Sequence, residues 1–188
     1  MMLKAYMKRR MRAFAGAFGY DAEYLVQMIE ADTQAGFALA GLSKATGYEA
    51  DAPKAAWYAA KIVAAMSEDC GACTQLAVDM ASRAGVASED LRAIVAGNLA
   101  RMSPEALIGY RFAKAVLARD PEIDTLRDEI VQRWGRKALG AIALCTAAGR
   151  TFPRLRFALG HGDTCHAVEV GGIRIAPNSV QQGKLAHA

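Results

Sequence analysis

Apolar side chains recur at helical spacing along most of this chain, and the residues between them carry start and stop signals. Tyr24, Leu25, Met28 and Ile29 follow Asp21 on one face, which predicts a helix. A second pattern runs through Phe37, Leu39 and Leu42 and stops before Gly47. Asp51 and Pro53 open a third, carrying Trp57, Tyr58, Ile62, Val63 and Met66 and ending near Ser67–Glu68–Asp69. The next begins at Cys70 and runs through Leu76 and Met80 to Gly85.

Later boundaries are drawn more sharply. Ser88–Glu89–Asp90 offers an N-cap and two acids in a first turn, where the helix dipole favours them. Ser103–Pro104–Glu105 repeats the device with proline at the first helical position, and Asp120–Pro121–Glu122 does so again. Leu107, Tyr110, Ala113, Val116 and Leu117 form an apolar stripe between them. A long helical stretch from about Lys137 to Leu159 should break or kink at Pro153 and end at Gly160 and Gly162. The period then changes to two. Val168–Glu169–Val170 and Ile173–Arg174–Ile175 alternate around Gly171–Gly172, which predicts a hairpin too short to persist without the helical body. The prediction is an all-α bundle of seven or eight helices with a short C-terminal β-hairpin.

A length of 188 residues, 53% of them hydrophobic and 22% charged, fits one compact domain over 1–188. Alanine is abundant and only 7% of residues are aromatic, which favours close helix contacts. The net charge of +4 is concentrated at the start, where Lys4, Lys8, Arg9, Arg10 and Arg12 precede the first acid, Asp21. This makes 1–20 a basic N-terminal segment, read as a solvated helix. No motif interleaves those charges with aromatics, so no nucleic-acid partner is expected. The run Ala13–Phe18 is too short, and too interrupted by Gly16, to be the core of a signal peptide. No window reaches the roughly 18 apolar residues of a membrane span, so no membrane partner is expected and the location is read as cytoplasmic. Residues 176–188 read as an irregular tail. No phosphate loop, dinucleotide fingerprint or nucleophile elbow is present, so no cofactor is expected.

Chemistry concentrates at Cys70–Gly71–Ala72–Cys73. Outside a secreted scaffold, a close CxxC pair reads as redox-active or metal-binding. Residues three apart share a helical face with Cα atoms roughly 5 Å apart, a span that a disulfide bridges. At a helix N-terminus, backbone N–H groups would stabilise a thiolate at Cys70, while Glu68 and Asp69 would oppose it. A structural zinc on Cys70, Cys73, Cys165 and His166 has the right ligand types, but its second half is a bare adjacent pair, and no metal is expected. Cys145, between Leu144 and Thr146, reads as a buried inert thiol.

The stretch from Lys61 through Cys70–Gly–Ala–Cys73 to Ala84–Gly85–Val86, with Ser88–Glu89–Asp90–Leu91 and the helix from Ser103, resembles the carboxymuconolactone decarboxylase/alkylhydroperoxidase (AhpD-like) family over about half of the chain. The resemblance implies an AhpD-like helical bundle, assembly as a homo-oligomer from dimer to hexamer, and peroxide or disulfide chemistry through the two cysteines. A small peroxide or disulfide would be the substrate and an external dithiol the reductant. Redox-active members of that family carry a histidine four residues after the second cysteine and a glutamate twelve before the first. This chain has Ala77 and Tyr58 there.

With Cys70 and Cys73 as the reacting pair, the candidates to stand in for the missing groups are Glu68 and His161, the latter in a His161–His166 loop folding back over the dithiol helix. The plain readings are a solvated helix-end acid and a surface loop, and His187 falls in the tail. Without a substitute, peroxide turnover should be weak, and restoring both groups should raise it. The competing functions are a non-catalytic oligomeric binding or structural protein with a redox-sensitive disulfide, and a decarboxylase or lactone-processing enzyme of the same fold. Members of the last kind generally lack the CxxC.

Overall fold

The computed structural model describes residues 2–162 and 167–178. Cys165, His166 and His187 lie outside them. The element order is α1 (Met2–Phe18), α2 (Glu23–Ala31), α3 (Thr33–Thr46), α4 (Lys54–Met66), α5 (Gly71–Arg83), α6 (Ser88–Ala96), a 3-10 turn (Leu99–Arg101), α7 (Pro104–Ala118), α8 (Ile123–Gly149), α9 (Thr151–Ala158), β1 (Val168–Val170) and β2 (Ile173–Ile175). No helix among the described residues is long and apolar enough to cross a membrane.

The centre of the bundle is α4. From Ala56 to Met66 every residue except Lys61 is buried, the mark of a helix covered on all sides. It packs against α5, α6, α7 and α8. Its alanines let a neighbour come close, and α7 meets it at Gly109. The main core gathers Trp57, Tyr58, Ile62, Leu91, Ile94, Phe112, Ile130 and Ile142 around this helix. A second cluster, built on Tyr20, Tyr24, Leu25, Ile29 and Leu39, lies against Ala65 of α4 and includes both Cys70 and Cys73. Met7, Met11, Ala15 and Phe18 of α1 pack on it from outside, and α1 itself has no fully buried residue.

Local chemistry sets most helix ends. Asp32 Oδ1 accepts the Gln34 N–H at 2.9 Å and starts α3. Ser103 caps α7 with Pro104 at its first position. The cap of α6 differs from the sequence expectation. Ser88 is the first helical residue, no side chain caps the helix, and the buried Asp90 reaches across to the start of α7. Its carboxylate accepts the Ser103 N–H at 2.6 Å and the Ser103 O–H at 2.7 Å. Asp120–Pro121–Glu122 forms a turn ahead of α8, with Asp120 Oδ1 accepting the Glu122 N–H at 2.8 Å, so the helix starts later than proline placement suggests.

The long helix expected across Pro153 is two. It stops at Gly149 and resumes at Thr151, which puts Pro153 in the first turn of α9, where a missing N–H costs nothing. A second break sits at Gly135, whose φ of 83° and ψ of 171° are non-helical within α8. Phe37, read as part of an apolar face, is 51% exposed.

The hairpin forms in the expected register, Val168 opposite Ile175 and Val170 opposite Ile173. Its turn takes positive φ at Gly171 and Gly172 (58° and 79°), which glycine adopts without penalty. Val168 and Val170 are buried. Gln75 of α5 fixes β1 at both ends of its amide, donating to the Glu169 carbonyl at 3.0 Å and accepting the Glu169 N–H at 2.7 Å.

Candidate functional site

The turn Ser67–Glu68–Asp69 reverses the chain between α4 and α5. It closes through Glu68 N–H to Ala65 O and Asp69 N–H to Met66 O, each 3.2 Å. Asp69 sits at φ 51°, a left-handed conformation that aspartate tolerates better than most side chains. The next residue, Cys70, is the N-cap of α5, and its sulfur accepts the Cys73 N–H at 3.3 Å. Thr74 locks the first turn by donating its hydroxyl to the Cys70 carbonyl at 2.9 Å. Cys70 and Cys73 are joined as a disulfide, with Cα atoms 5.3 Å apart. The spacing and helix-end placement read from the sequence are therefore those of the structure. Both cysteines are buried, at 6% and 7% exposure.

The second sulfur has a neighbour that the sequence did not announce. The Tyr20 hydroxyl lies 3.7 Å from Cys73 Sγ and 3.0 Å from the Tyr24 hydroxyl. Arg156 of α9 stands over both rings, its guanidinium carbon 5.7 Å from each centroid. The guanidinium donates to the Asp21 carbonyl at 2.7 Å and to Asp21 Oδ2 at 3.4 Å. His161 completes the group, with Nδ1 4.0 Å from Asp21 Oδ2 and its ring 5.9 Å from that of Tyr24. Burial pushes the Tyr20 and Tyr24 phenols above their ordinary value, although Arg156 pulls the other way.

His161 thus packs against Asp21 and Tyr24, and the contacts that link it to Cys73 run through both tyrosines. Glu68 faces elsewhere. Its carboxylate is held by Arg150, and by Arg154 Nε at 2.7 Å. The pairing ties the α4–α5 turn to the start of α9 and occupies the acid that could have served as a base. Glu68→Gln is expected to lower stability by about 1 kcal/mol in urea unfolding, a modest figure because both arginines are partly exposed. The difference between parent and variant should shrink at 1 M salt, where screening is short-ranged (about 3 Å).

Positions 77 and 58 are structural. Ala77 is buried in the main core, and so is Tyr58, whose ring meets Trp57 edge-on at 4.8 Å. Burial raises the Tyr58 phenol to about 12. Cys145 is fully buried, and burial pushes its thiol up to about 12, which keeps it unreactive. Two members of the zinc set, Cys165 and His166, lie outside the described residues. Among those described, no group of three or more His, Cys, Asp or Glu could hold a metal ion.

Tyr20, Tyr24 and Arg156 carry no local sequence signal, since Tyr20 meets Cys73 across 53 residues and Arg156 meets Asp21 across 135. No family model, curated protein or solved structure matches the chain.

Proposed function

We propose that Cys70 and Cys73 work as a reversible dithiol/disulfide couple in an alkylhydroperoxidase-like bundle, reducing a small peroxide or disulfide with electrons from an external dithiol. The observation that carries this reading is the pair itself, a disulfide across the first turn of α5 with one donor at each sulfur. In the reduced form a thiolate attacks the peroxide, forming an S–O bond as the O–O bond breaks and an alcohol or water leaves. The partner thiol displaces water from the resulting sulfenic acid and closes the disulfide. An external dithiol reopens it by exchange and leaves as a disulfide.

Turnover should be weak. No imidazole or free carboxylate touches either sulfur among the described residues, and general-base assistance is typically worth about 10²–10⁴-fold. Reduced protein mixed with hydroperoxide in a stopped-flow instrument should form a Cys70–Cys73 disulfide slowly, but faster than free cysteine reacts. Dithiothreitol should reverse it, and Cys73→Ser should abolish it. A rate no faster than free cysteine ends the catalytic reading. The alternative then gains: a non-catalytic, redox-sensitive staple, which the burial of both cysteines favours.

A further inference from the structure

When a disulfide opens, one sulfur leaves carrying the electron pair, and in an enclosed site burial opposes that charge. Cys70 has a place for it, because the first turn of α5 already aims the Cys73 N–H at its sulfur. Cys73 lies inside the helix, and its support comes from another part of the chain. A disulfide sulfur carries no hydrogen, so at 3.7 Å the Tyr20 hydroxyl is the donor and Cys73 Sγ the acceptor. The Tyr20 oxygen is then free to accept the Tyr24 O–H, 3.0 Å away. The two hydroxyls form a one-way chain pointing at the sulfur. Because burial raises both phenols, they remain protonated donors through the neutral range.

Resting on the dithiol reading above, we propose that Tyr20, oriented by Tyr24, is a catalytic hydrogen-bond donor that holds the Cys73 sulfur as a thiolate. A thiolate of the external dithiol attacks Cys70 Sγ. A new sulfur–sulfur bond forms there as the Cys70–Cys73 bond breaks, and the electron pair leaves on Cys73 toward the Tyr20 O–H. The donor's second thiol then displaces Cys70, so the donor departs oxidised by two electrons and both protein sulfurs are reduced. The donor's protons go to solvent or to the sulfurs. The Tyr20 proton stays on oxygen throughout, because a buried phenol is a weaker acid than a thiol. Among the described residues, the other charged and titratable groups near the pair are Arg156 from α9, Asp21 ahead of α2, His161 after α9, and Glu68 and Asp69 ahead of α5. Among the described residues Arg156 lies over both phenol rings, and its charge favours an anion there.

The test uses the full chain and iodoacetamide. Alkylation of the reduced protein is followed against pH, with Cys70 and Cys73 resolved by peptide mass spectrometry. A first arm asks whether the parent pair opens with dithiothreitol and closes with hydrogen peroxide. If it does not cycle, the dithiol reading fails, whatever Tyr20 does. In a pair that cycles, Tyr20→Phe should raise the Cys73 midpoint by about one pH unit or more and slow reopening by dithiothreitol about tenfold, as expected for losing one hydrogen bond to a charged group. Cys70 should move much less. Tyr24→Phe should act in the same direction by a smaller amount. A Cys73 midpoint that stays put, or an equal shift at Cys70, overturns the proposal. So does a lowered unfolding midpoint with an unchanged pH profile, the result of a purely structural role. Should Tyr20→Phe fail to fold, Tyr24→Phe decides: a raised Cys73 midpoint supports the donor chain and an unmoved one overturns it.

Discussion

Gly109→Ala is expected to lower the thermal midpoint by about 5–10 °C, although alanine is the better helix former. The position lies in α7 where it crosses α4, and a Cβ there would sit 2.6 Å from both the carbonyl carbon and the Cα of Ala56. Those are backbone atoms, so no rotamer change relieves the clash and the helices must separate. Overpacking of this kind costs about 1–3 kcal/mol and sometimes more, against about 1 kcal/mol gained from helix propensity. Separating α4 from α7 also disturbs the main core on both sides of the contact, which places this case at the high end. A net loss near 2–3 kcal/mol in a chain of this size gives the stated shift. Gly140 is the control. It lies in α8 with nothing within 4 Å of an added Cβ, so Gly140→Ala should raise the midpoint slightly. Calorimetry on the two variants decides the matter, and equal midpoints would mean that α4 and α7 are not in this contact.

Installing an acid at 58 and an imidazole at 77 should unfold the protein before it improves catalysis. From sequence, Ala77→His with Tyr58→Glu promises a faster site. Both positions are buried in the main core, which sets a stability cost against that expectation. A carboxylate at 58 would be an unpaired buried charge near Glu49. Lys61, three residues on, is already held by the Thr46 carbonyl at 2.9 Å and by the Trp57 ring face. The cost is about 3–5 kcal/mol. Histidine at 77 adds overpacking of about 1–3 kcal/mol, and the sum rivals a typical total stability of about 5–15 kcal/mol. The pH dependence has a definite sign. Burial raises the folded-state value of the new carboxyl, so the native state binds more protons than the unfolded one, and stability falls as pH rises above the unfolded value near about 4.3. Urea unfolding should therefore show the Tyr58→Glu single variant least impaired near pH 4 and worst at neutral pH, whereas a buried imidazole at 77 acts in the opposite direction below about pH 6.5. A parent-like urea midpoint at pH 7 would show that position 58 can accommodate the charge.

What the sequence disclosed depends on how far each feature reaches. Ser103–Pro104, Gly171–Gly172 and the Cys70–Cys73 spacing act within a few residues, and each does in the structure what its local chemistry predicts. The Gly135 break had no such signal, since one glycine inside a helical pattern reads as helix unless φ is known. Ser88 and Asp90 had the composition of a cap, but Asp90 serves the next helix, and only packing reveals the partner. The site divided the same way. Its cysteines were legible, whereas Glu68 was diverted by arginines more than 80 residues away, and Tyr20 reaches Cys73 by the path of the chain.

The position of the dithiol in the second cluster bears on how any reagent meets it. Tyr20, α2 and α3 pack around the pair, with α1 resting outside them and burying nothing fully. The α4-centred core is built from α4 to α8 and the hairpin, and it meets this layer at Ala65, at α8 against α3 and through the Lys61–Thr46 bond. Thinly packed layers open locally at less than the global unfolding free energy, so the sulfurs should become accessible when this flap breathes while α4 to α8 stay folded. Attack would then resemble hydrogen exchange more than entry into a preformed cleft. At low reagent concentration each compound reacts at its own pace, and at high concentration all reach one ceiling, the frequency with which the flap lifts.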